Sequence, residues 1–185
     1  AAPAKDDRAS DQLAKLGYQL DWITPCEGEV LGPLDKEVAG TIVYGGKYCI
    51  SDIPDLPFMQ QEIRWLQACM DAGLPVLGIC QGAQMIAHIL GAEVGPPDHG
   101  QHEFGYYPIE PTPEGADFLP ETLWMTQFHF HEFQIPKGAI RLAQTETYAN
   151  QAFSYGKNIY GVQFHPESIL TPNGKEMLKN WVNNS

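Results

Sequence analysis

Cys80 is the residue whose surroundings point most clearly to chemistry, because it stands at a sharp transition between two predicted elements. The apolar run Leu74-Pro75-Val76-Leu77 leads into Gly78-Ile79-Cys80-Gln81-Gly82, and a helix-like segment follows. A strand, a tight turn and a helix in this order are typical of a nucleophile elbow, which exposes the attacking side chain. The first N–H groups of the helix then face the group under attack. The pattern predicts that Cys80 is a nucleophile; the alternative is a buried packing cysteine.

A histidine and a glutamate near the end of the chain fit the other two roles of a catalytic triad. A cysteine nucleophile needs a base, and the base needs an orienting partner. Among six histidines, His165 directly follows the predicted strand residues 160–164, at the carboxyl edge where α/β active sites lie. Pro166 ends this strand, and Glu167 follows within reach of the imidazole. We therefore predict a triad of Cys80, His165 and Glu167. The alternative is a strand end capped by polar residues.

Two backbone positions are predicted to form an oxyanion hole. The N–H of Gln81, directly after the nucleophile, is the first expected donor. The second is expected from Gly45-Gly46, which follow another buried strand and have no Cβ to keep a substrate away from their N–H groups. The alternative for these two glycines is a tight turn with no role in binding.

The elements that must position these residues alternate between strand and helix in the first half of the chain. Such alternation predicts a mostly parallel central sheet with helices on both faces, and hence an α/β fold. The predicted helices are residues 10–16, 57–72 and 81–90, and the predicted strands are residues 18–24, 40–44 and 74–79.

The second half of the chain changes character. Short strands separated by turn signals are predicted at residues 106–109, 140–143, 151–153 and 158–164. Their spacing indicates a small antiparallel extension of the sheet. A last helix is predicted over residues 173–182. No strand precedes the first helix, so we expect one domain over residues 1–185 in which the usual opening strand is absent from this chain.

Composition excludes several classes of function. The chain has 185 residues, with 11 Lys and Arg against 23 Asp and Glu, and this balance argues against binding to nucleic acid. No apolar run approaches the length of about 20 residues that spans a membrane. The first residues lack the apolar centre of a secretory signal. The four cysteines form no CxxC pair, so we expect free thiols in a cytoplasmic protein.

Six segments, in order, resemble the triad-type (class I) glutamine amidotransferases, and most closely the stand-alone members similar to GMP synthase. The resemblance extends from about Asp35 to the end of the chain, and it implies a flavodoxin-like sheet. The combination of a GxCxGxQ elbow with a distant QFHPE is specific. The segments are GGKYCISD, PVLGICQGAQ, HEFGYYPI, QFHFHEFQIPKGA, NQAF and YGVQFHPE.

This resemblance implies hydrolysis of the side-chain amide of glutamine. Cys80 attacks the amide carbon, and His165, held by Glu167, protonates the departing ammonia and then activates water against a γ-glutamyl thioester. Gln84 and Gly45 would contact the substrate, and the backbone at Phe128 and Phe130 would hold its α-amino and carboxylate end. No cofactor is implied. A separate ammonia-accepting synthetase chain is the expected partner, because 185 residues leave no room for a synthetase domain.

Two departures from the family pattern keep other functions open. The family often has Gly-Asp where this chain has Phe130-His131, and a proline where this chain has Lys47. Both positions lie near the substrate loop, so a γ-glutamyl peptidase that acts on small peptides or conjugates is an alternative. A non-catalytic regulatory module on the same fold is a third possibility.

Four of the histidines are candidates for a metal site. His99, His102, His129 and His131 form two pairs, but no carboxylate or cysteine completes a familiar ligand spacing, and we expect no metal. Glu103, in EFG, matches a family position that is structural.

Overall fold

The computed structural model describes residues 7–168, 177–179 and 181–182. Within these ranges, seven strands form one sheet in the order β1-β2-β9-β8-β7-β4-β5, and β3 and β6 form a separate pair. The strands are β1 (Thr41–Val43), β2 (Val76–Ile79), β3 (Val94–Gly95), β4 (Glu103–Pro111), β5 (Leu123–His129), β6 (Glu132–Phe133), β7 (Ile140–Gln144), β8 (Ala152–Tyr155) and β9 (Ile159–Val162). The α-helices are α1 (Arg8–Lys15), α2 (Pro57–Asp71) and α3 (Gln81–Ile89), and short 3-10 helices cover Pro25–Glu27, Ile50–Asp55 and Pro113–Gly115.

The parallel half of the sheet carries helices on both faces, as predicted. β1, β2 and β9 are parallel neighbours. Because side chains alternate along a strand, Val76 packs in the apolar cluster that contains α2 and α3, and Leu77 packs in the opposite cluster. The opposite cluster also takes in Ala9 of α1 and residues 177–178 and 181. The α/β fold class is therefore confirmed.

The antiparallel part is larger than the small extension that we predicted. β8, β7, β4 and β5 follow β9 as four antiparallel strands. β5 was not predicted; it pairs with β4 over seven residues from Glu103↔His129 to Ile109↔Leu123. Its residues alternate between buried and exposed positions, which is the signature of a strand with one face on a core.

The predicted strand at residues 18–24 is wrong. These residues have no regular secondary structure, and they face β1, at the edge of the sheet, across a cleft of about 1020 Å³. An alternating segment becomes a strand only where a neighbour takes up its backbone hydrogen bonds, and no strand of the described residues pairs with this segment. Trp22 instead stacks on Tyr44, with ring centroids 5.5 Å apart.

The other predicted elements agree with the structure to within a few residues. The first helix begins earlier than predicted, at Arg8, because the carboxylate of Asp7 accepts bonds from the N–H groups of Ala9 and Ser10 and so caps it. Of the last helix, residues 177–179 and 181–182 are helical, and the rest of that prediction lies outside the described residues. All four cysteines are free. No helix within the described ranges has the length and hydropathy needed to cross a bilayer.

Glycines allow α3 to approach the parallel strands closely. A Cβ at Gly82 would lie 2.1 Å from the carbonyl oxygen of Val43, and a Cβ at Gly78 would lie 2.5 Å from the backbone of Gly82. Neither distance can accommodate a carbon atom. The N-terminus of α3 is therefore fixed against β1 and β2 by residues without side chains.

We expect Gly82→Ala to destabilise the protein by about 1–3 kcal/mol, because the methyl group forces α3 away from β1. Urea denaturation monitored by circular dichroism measures the change. Gly95→Ala is the matched control, since a Cβ there would meet no heavy atom of the described residues within 4 Å. Equal stabilities of the two variants would contradict this account of the packing.

Candidate active site

Cys80 lies on a strained turn between β2 and α3. Its backbone has φ 54° and ψ −109°, and it is the one non-glycine residue with positive φ in the described part of the chain. Such a conformation costs on the order of 1–3 kcal/mol and persists only where its surroundings hold it. The Cys80 N–H donates to the carbonyl oxygen of Val162 on β9 at 2.8 Å, and the close packing of Gly78 and Gly82 fixes the helix that follows. The turn is thus a nucleophile elbow in its geometry.

His165 and Glu167 meet Cys80 at the end of β9. The His165 N–H donates to the carbonyl oxygen of Thr126 on β5 at 2.9 Å, which fixes the backbone of the histidine. The imidazole Nδ1 lies 2.8 Å from Glu167 Oε1. Gly45 lies where the other two residues meet, since a Cβ there would be 3.1 Å from Cys80 Cβ and 3.2 Å from His165 Cε1. Three remote segments of the sequence therefore converge on one point.

The surroundings of His165 favour the imidazolium. Burial by itself lowers the pKa of His165, but hydrogen bonds to Cys80 and Glu167, together with the charges of both groups, raise it from 6.5 to about 10. The pKa is higher than in the unfolded chain, so the stabilisation from this proton is complete below pH 6.5 and is lost as the pH rises through about 10. At neutral pH the imidazole beside the sulfur of Cys80 is therefore in its protonated form.

The predicted oxyanion positions also lie side by side. A Cβ at Gly46 would fall 2.2 Å from Gln81 Oε1, so the glycine loop passes directly over that side chain. The Gln81 amide donates to the carbonyl oxygen of Tyr48, which ties the start of α3 to the loop. The structure thus brings Gly45, Gly46 and Gln81 together beside Cys80, and their role in binding an oxyanion stays a prediction.

The predicted substrate residues fall into two groups. Phe128 and Phe130 are 63% and 54% exposed, and the Phe128 carbonyl oxygen lies 3.9 Å from Cys80 Sγ. Gln84 is buried, and its Nε2 donates to the carbonyl oxygen of His131 at 3.1 Å and to Gln163 Oε1 at 3.0 Å. Gln84 therefore supports the loop after β5, and its contact with a substrate stays a prediction.

Gln163 lies at the site but was not predicted from the sequence. This residue is 1% exposed, and its Nε2 donates to Cys80 Sγ at 3.6 Å. It stands two residues before His165, so both side chains leave the end of β9 on the same side. The alternation Gln163, His165, Glu167 in QFHPE was the signal that could have identified it.

The four histidines considered for a metal site have other contacts. His129 Nε2 lies 3.1 Å from Glu103 Oε2, and His131 Nε2 lies 3.8 Å from Cys49 Sγ. His99 and His102 make edge contacts with the rings of Tyr148 and Phe130. Within the described ranges, no group of three or more His, Cys, Asp or Glu side chains is arranged to hold a metal ion.

Glu103 is fully buried. Besides its contact with His129, it accepts hydrogen bonds from Thr145 at 2.6 Å and Gln151 at 2.7 Å. A carboxylate with this many partners in a protein interior holds neighbouring segments together, as expected for a structural residue.

Comparison with known proteins gives consistent results. Residues 9–184 match the sequence profile of the family described as glutamine amidotransferase class-I. The chain is 36% identical over 157 residues to the GMP synthase [glutamine-hydrolyzing] of Caldicellulosiruptor saccharolyticus, covering 82% of this chain and 29% of that protein. With the corresponding protein of Aliivibrio salmonicida the identity is 40% over 151 residues, covering 78% and 27%. The chain thus spans less than a third of the length of these curated relatives.

A solved structure shows the same similarity in three dimensions. The crystal structure of a glutamine amidotransferase from Thermotoga maritima superposes with a TM-score of 0.81 and 29% sequence identity. The match covers 96% of this chain and 75% of that one. The likeness therefore includes nearly the whole of the present fold.

We expect the imidazole of His165 to remain protonated through neutral pH, and Glu167→Gln to lower its pKa, because the variant removes the charge and weakens the hydrogen bond of the carboxylate. NMR titration of ¹³C-labelled histidine from pH 5 to 11 measures both. Glu110→Gln, an exposed carboxylate on β4, is the control and should leave the His165 curve unchanged. An identical His165 curve in Glu167→Gln and the unsubstituted protein would refute the assigned partner.

Proposed function

The chain belongs to the class-I glutamine amidotransferase family, and from this premise we propose that it hydrolyses the side-chain amide of glutamine to glutamate and ammonia. The observation that carries the proposal is the imidazole of His165, which lies between the strained Cys80 and the carboxylate of Glu167. A cysteine with an adjacent imidazolium and an orienting acid is equipped for attack on an acyl group.

The proposed reaction has two stages. The Cys80 thiolate attacks the amide carbon, and the carbonyl electron pair moves onto oxygen, where the N–H groups of Gly46 and Gln81 stabilise it. The carbon–nitrogen bond then breaks, His165 gives its proton to the departing ammonia, and a γ-glutamyl thioester remains. In the second stage His165 takes a proton from water, the hydroxide adds to the thioester, and the thiolate leaves as glutamate is released.

The substrate pocket follows from the same arrangement. Gly45 lies beside Cys80 and His165, where a Cβ would be only 3.1 Å and 3.2 Å from these two side chains. The Phe128 carbonyl oxygen lies 3.9 Å from the Cys80 sulfur, and we propose that the backbone of Phe128 and Phe130 holds the α-amino and carboxylate groups of glutamine. Gln84 would complete the pocket through its hydrogen bond to His131 in the same loop.

We further propose that the ammonia passes to a separate synthetase chain, and that residues 1–185 act as one amidotransferase domain. The relatives named GMP synthase are more than three times as long as the segment that matches this chain, which is consistent with an added synthetase part. Exposed aromatic side chains cover one face of the β4–β5 pair next to the Cys80 sulfur. They are Phe104, Tyr106, Trp124, Phe128 and Phe130. Exposed apolar surface of this kind is common at protein interfaces.

The exposed phenylalanines also favour a second candidate, a γ-glutamyl peptidase. Phe130 packs edge-on against Phe104, with centroids 4.9 Å apart, and both rings are partly open to solvent. An apolar group attached to the γ-glutamyl nitrogen would find contact area here, and the first chemical step would be the same thioester.

Steady-state rates with glutamine and with γ-glutamyl dipeptides separate the two candidates. We expect kcat/KM for glutamine to be the higher by orders of magnitude, because the aromatic surface serves a protein partner in the leading proposal. A higher value for γ-glutamyl-phenylalanine would establish the peptidase instead.

We expect Cys80→Ala to lower turnover by roughly 10³-fold or more while leaving the fold intact, because the substitution removes a single sulfur atom and leaves the backbone of the turn in place. Ammonia release measures the rate, and thermal unfolding measures the fold. Cys26→Ala, which changes an exposed cysteine, is the control and should keep full activity. Turnover in Cys80→Ala close to that of the control would refute the mechanism.

Labelling with a glutamine-like diazo-ketone provides an independent measurement. Mass spectrometry should find one adduct, on Cys80. If the protein forms no adduct and hydrolyses neither glutamine nor γ-glutamyl dipeptides, it is a non-catalytic module.

A further inference from the structure

The sulfur of Cys80 has a hydrogen-bond donor besides His165. Gln163 Nε2 lies 3.6 Å from Cys80 Sγ, within the range for a bond to sulfur, and the Gln163 side chain is almost fully buried. The Phe128 carbonyl oxygen lies 3.9 Å from the same sulfur and accepts a bond from the thiol. The sulfur thus has an acceptor that suits its neutral form and an N–H donor that suits its charged form.

The orientation of the Gln163 amide is fixed by a chain of hydrogen bonds. A backbone carbonyl only accepts, so the carbonyl oxygen of His131 requires that Gln84 present its NH₂ group, at 3.1 Å. The second hydrogen of that NH₂ group points at Gln163, whose Oε1 accepts it at 3.0 Å. With its oxygen engaged by Gln84, Gln163 must direct its own NH₂ group at the sulfur.

These hydrogen bonds begin at the carbonyl oxygen of His131, which is itself held in place. The two ring nitrogens of His129 face two acceptors, the carbonyl oxygen of His131 at 3.0 Å and the Glu103 carboxylate at 3.1 Å. Glu103 is fully buried and is held by Thr145 and Gln151. The His131 carbonyl therefore cannot turn away from Gln84 without breaking a buried network, and the donor at the sulfur is kept in place.

We propose that Gln163 is a catalytic residue whose side-chain N–H donates to the Cys80 thiolate, and that Gln84 is the positioning residue that fixes the direction of this bond. Donation to a charged acceptor stabilises the charged form and restricts the direction of the sulfur. No group is transferred in this interaction. The inference rests on the proposed function only in treating the Cys80 thiolate as the attacking group.

The test measures the thiolate itself, in the absence of glutamine. The rate of Cys80 alkylation by iodoacetamide at pH 7.5 and the absorbance at 240 nm relative to Cys80→Ala both report the thiolate. Gln163→Glu keeps the size of the side chain and an acceptor for Gln84, but it places a carboxylate oxygen against the sulfur. We expect alkylation to slow by about tenfold or more in Gln163→Glu and in Gln163→Leu, with a matching loss of absorbance.

Thr112→Val is the matched control. Thr112 is also buried, and its hydroxyl donates to the carbonyl oxygen of Arg141 at 2.7 Å, not to the sulfur or to the network around Glu103. Its loss should cost stability without changing alkylation by more than twofold. If folded Gln163 variants alkylate within twofold of the unsubstituted protein, the proposal is wrong.

A second variant covers the case in which substitutions at Gln163 prevent folding. In Gln84→Glu neither oxygen donates, so Gln163 is free to turn its NH₂ group towards residue 84 and its oxygen towards the sulfur. The same slowing of alkylation is expected, and its absence would overturn the proposal. Because glutamine takes no part in these measurements, a protein that fails to hydrolyse glutamine but shows the Gln163 effect would refute the proposed function and not this inference.

Discussion

The backbone turn at Cys80 is the constraint on which the site depends. A non-glycine residue with φ 54° adopts this conformation only because the segments on both sides of it are fixed. β2 is fixed in the centre of the parallel strands, and α3 is fixed by the contact of Gly82 with β1. Any side chain at Gly82 would push α3 away from β1 and relax the turn. The sulfur and the Gln81 N–H would then no longer lie next to the glycine loop. The packing of two glycines thus sets the geometry of the chemistry.

The antiparallel half of the sheet completes the site from the other side. β5 lies at the far edge of the sheet from β1, yet its end reaches the centre of the site, because Thr126 bonds the backbone of His165 and the Phe128 carbonyl oxygen faces the sulfur. The sheet must curl for its outer strand to meet the carboxyl end of β2. The site therefore depends on the elbow, the end of β9, the end of β5 and the glycine loop after β1, and no one of them forms it alone.

The sequence predicts an element or a site residue correctly where a local pattern of residues is enough to identify it. The elbow at Cys80, the strand before it and the pair His165 and Glu167 each leave a local trace of glycines, apolar runs or a terminating proline. Residues 18–24 alternate between apolar and polar side chains as a strand does, but they pair with no strand of the described residues. Alternation within a segment does not show whether a second strand lies beside it. β5 was not predicted because Trp124 and Phe128 lie on its exposed face while Gln127 and His129 are buried, so hydrophobicity does not follow burial along this strand. The contact of Gln163 with the sulfur depends on Gln84 and His131, which are remote in sequence.

The buried amides of Gln84 and Gln163 form a short series of hydrogen bonds that ends at the Cys80 sulfur. Gln84 and Gln163 are both buried, and each is tolerated there because its NH₂ group has a hydrogen-bond partner. Gln163 and His165 leave one strand end on the same side, so a single backbone segment aims two donors at the sulfur, while Phe164 between them is buried in the core. The core contact of Phe164 therefore anchors the backbone from which both side chains leave, and the hydrogen bond from Gln84 orients the amide of Gln163. The alternation of side chains along residues 163–165 thus places Phe164 in the core and places Gln163 and His165 on the side of the sulfur.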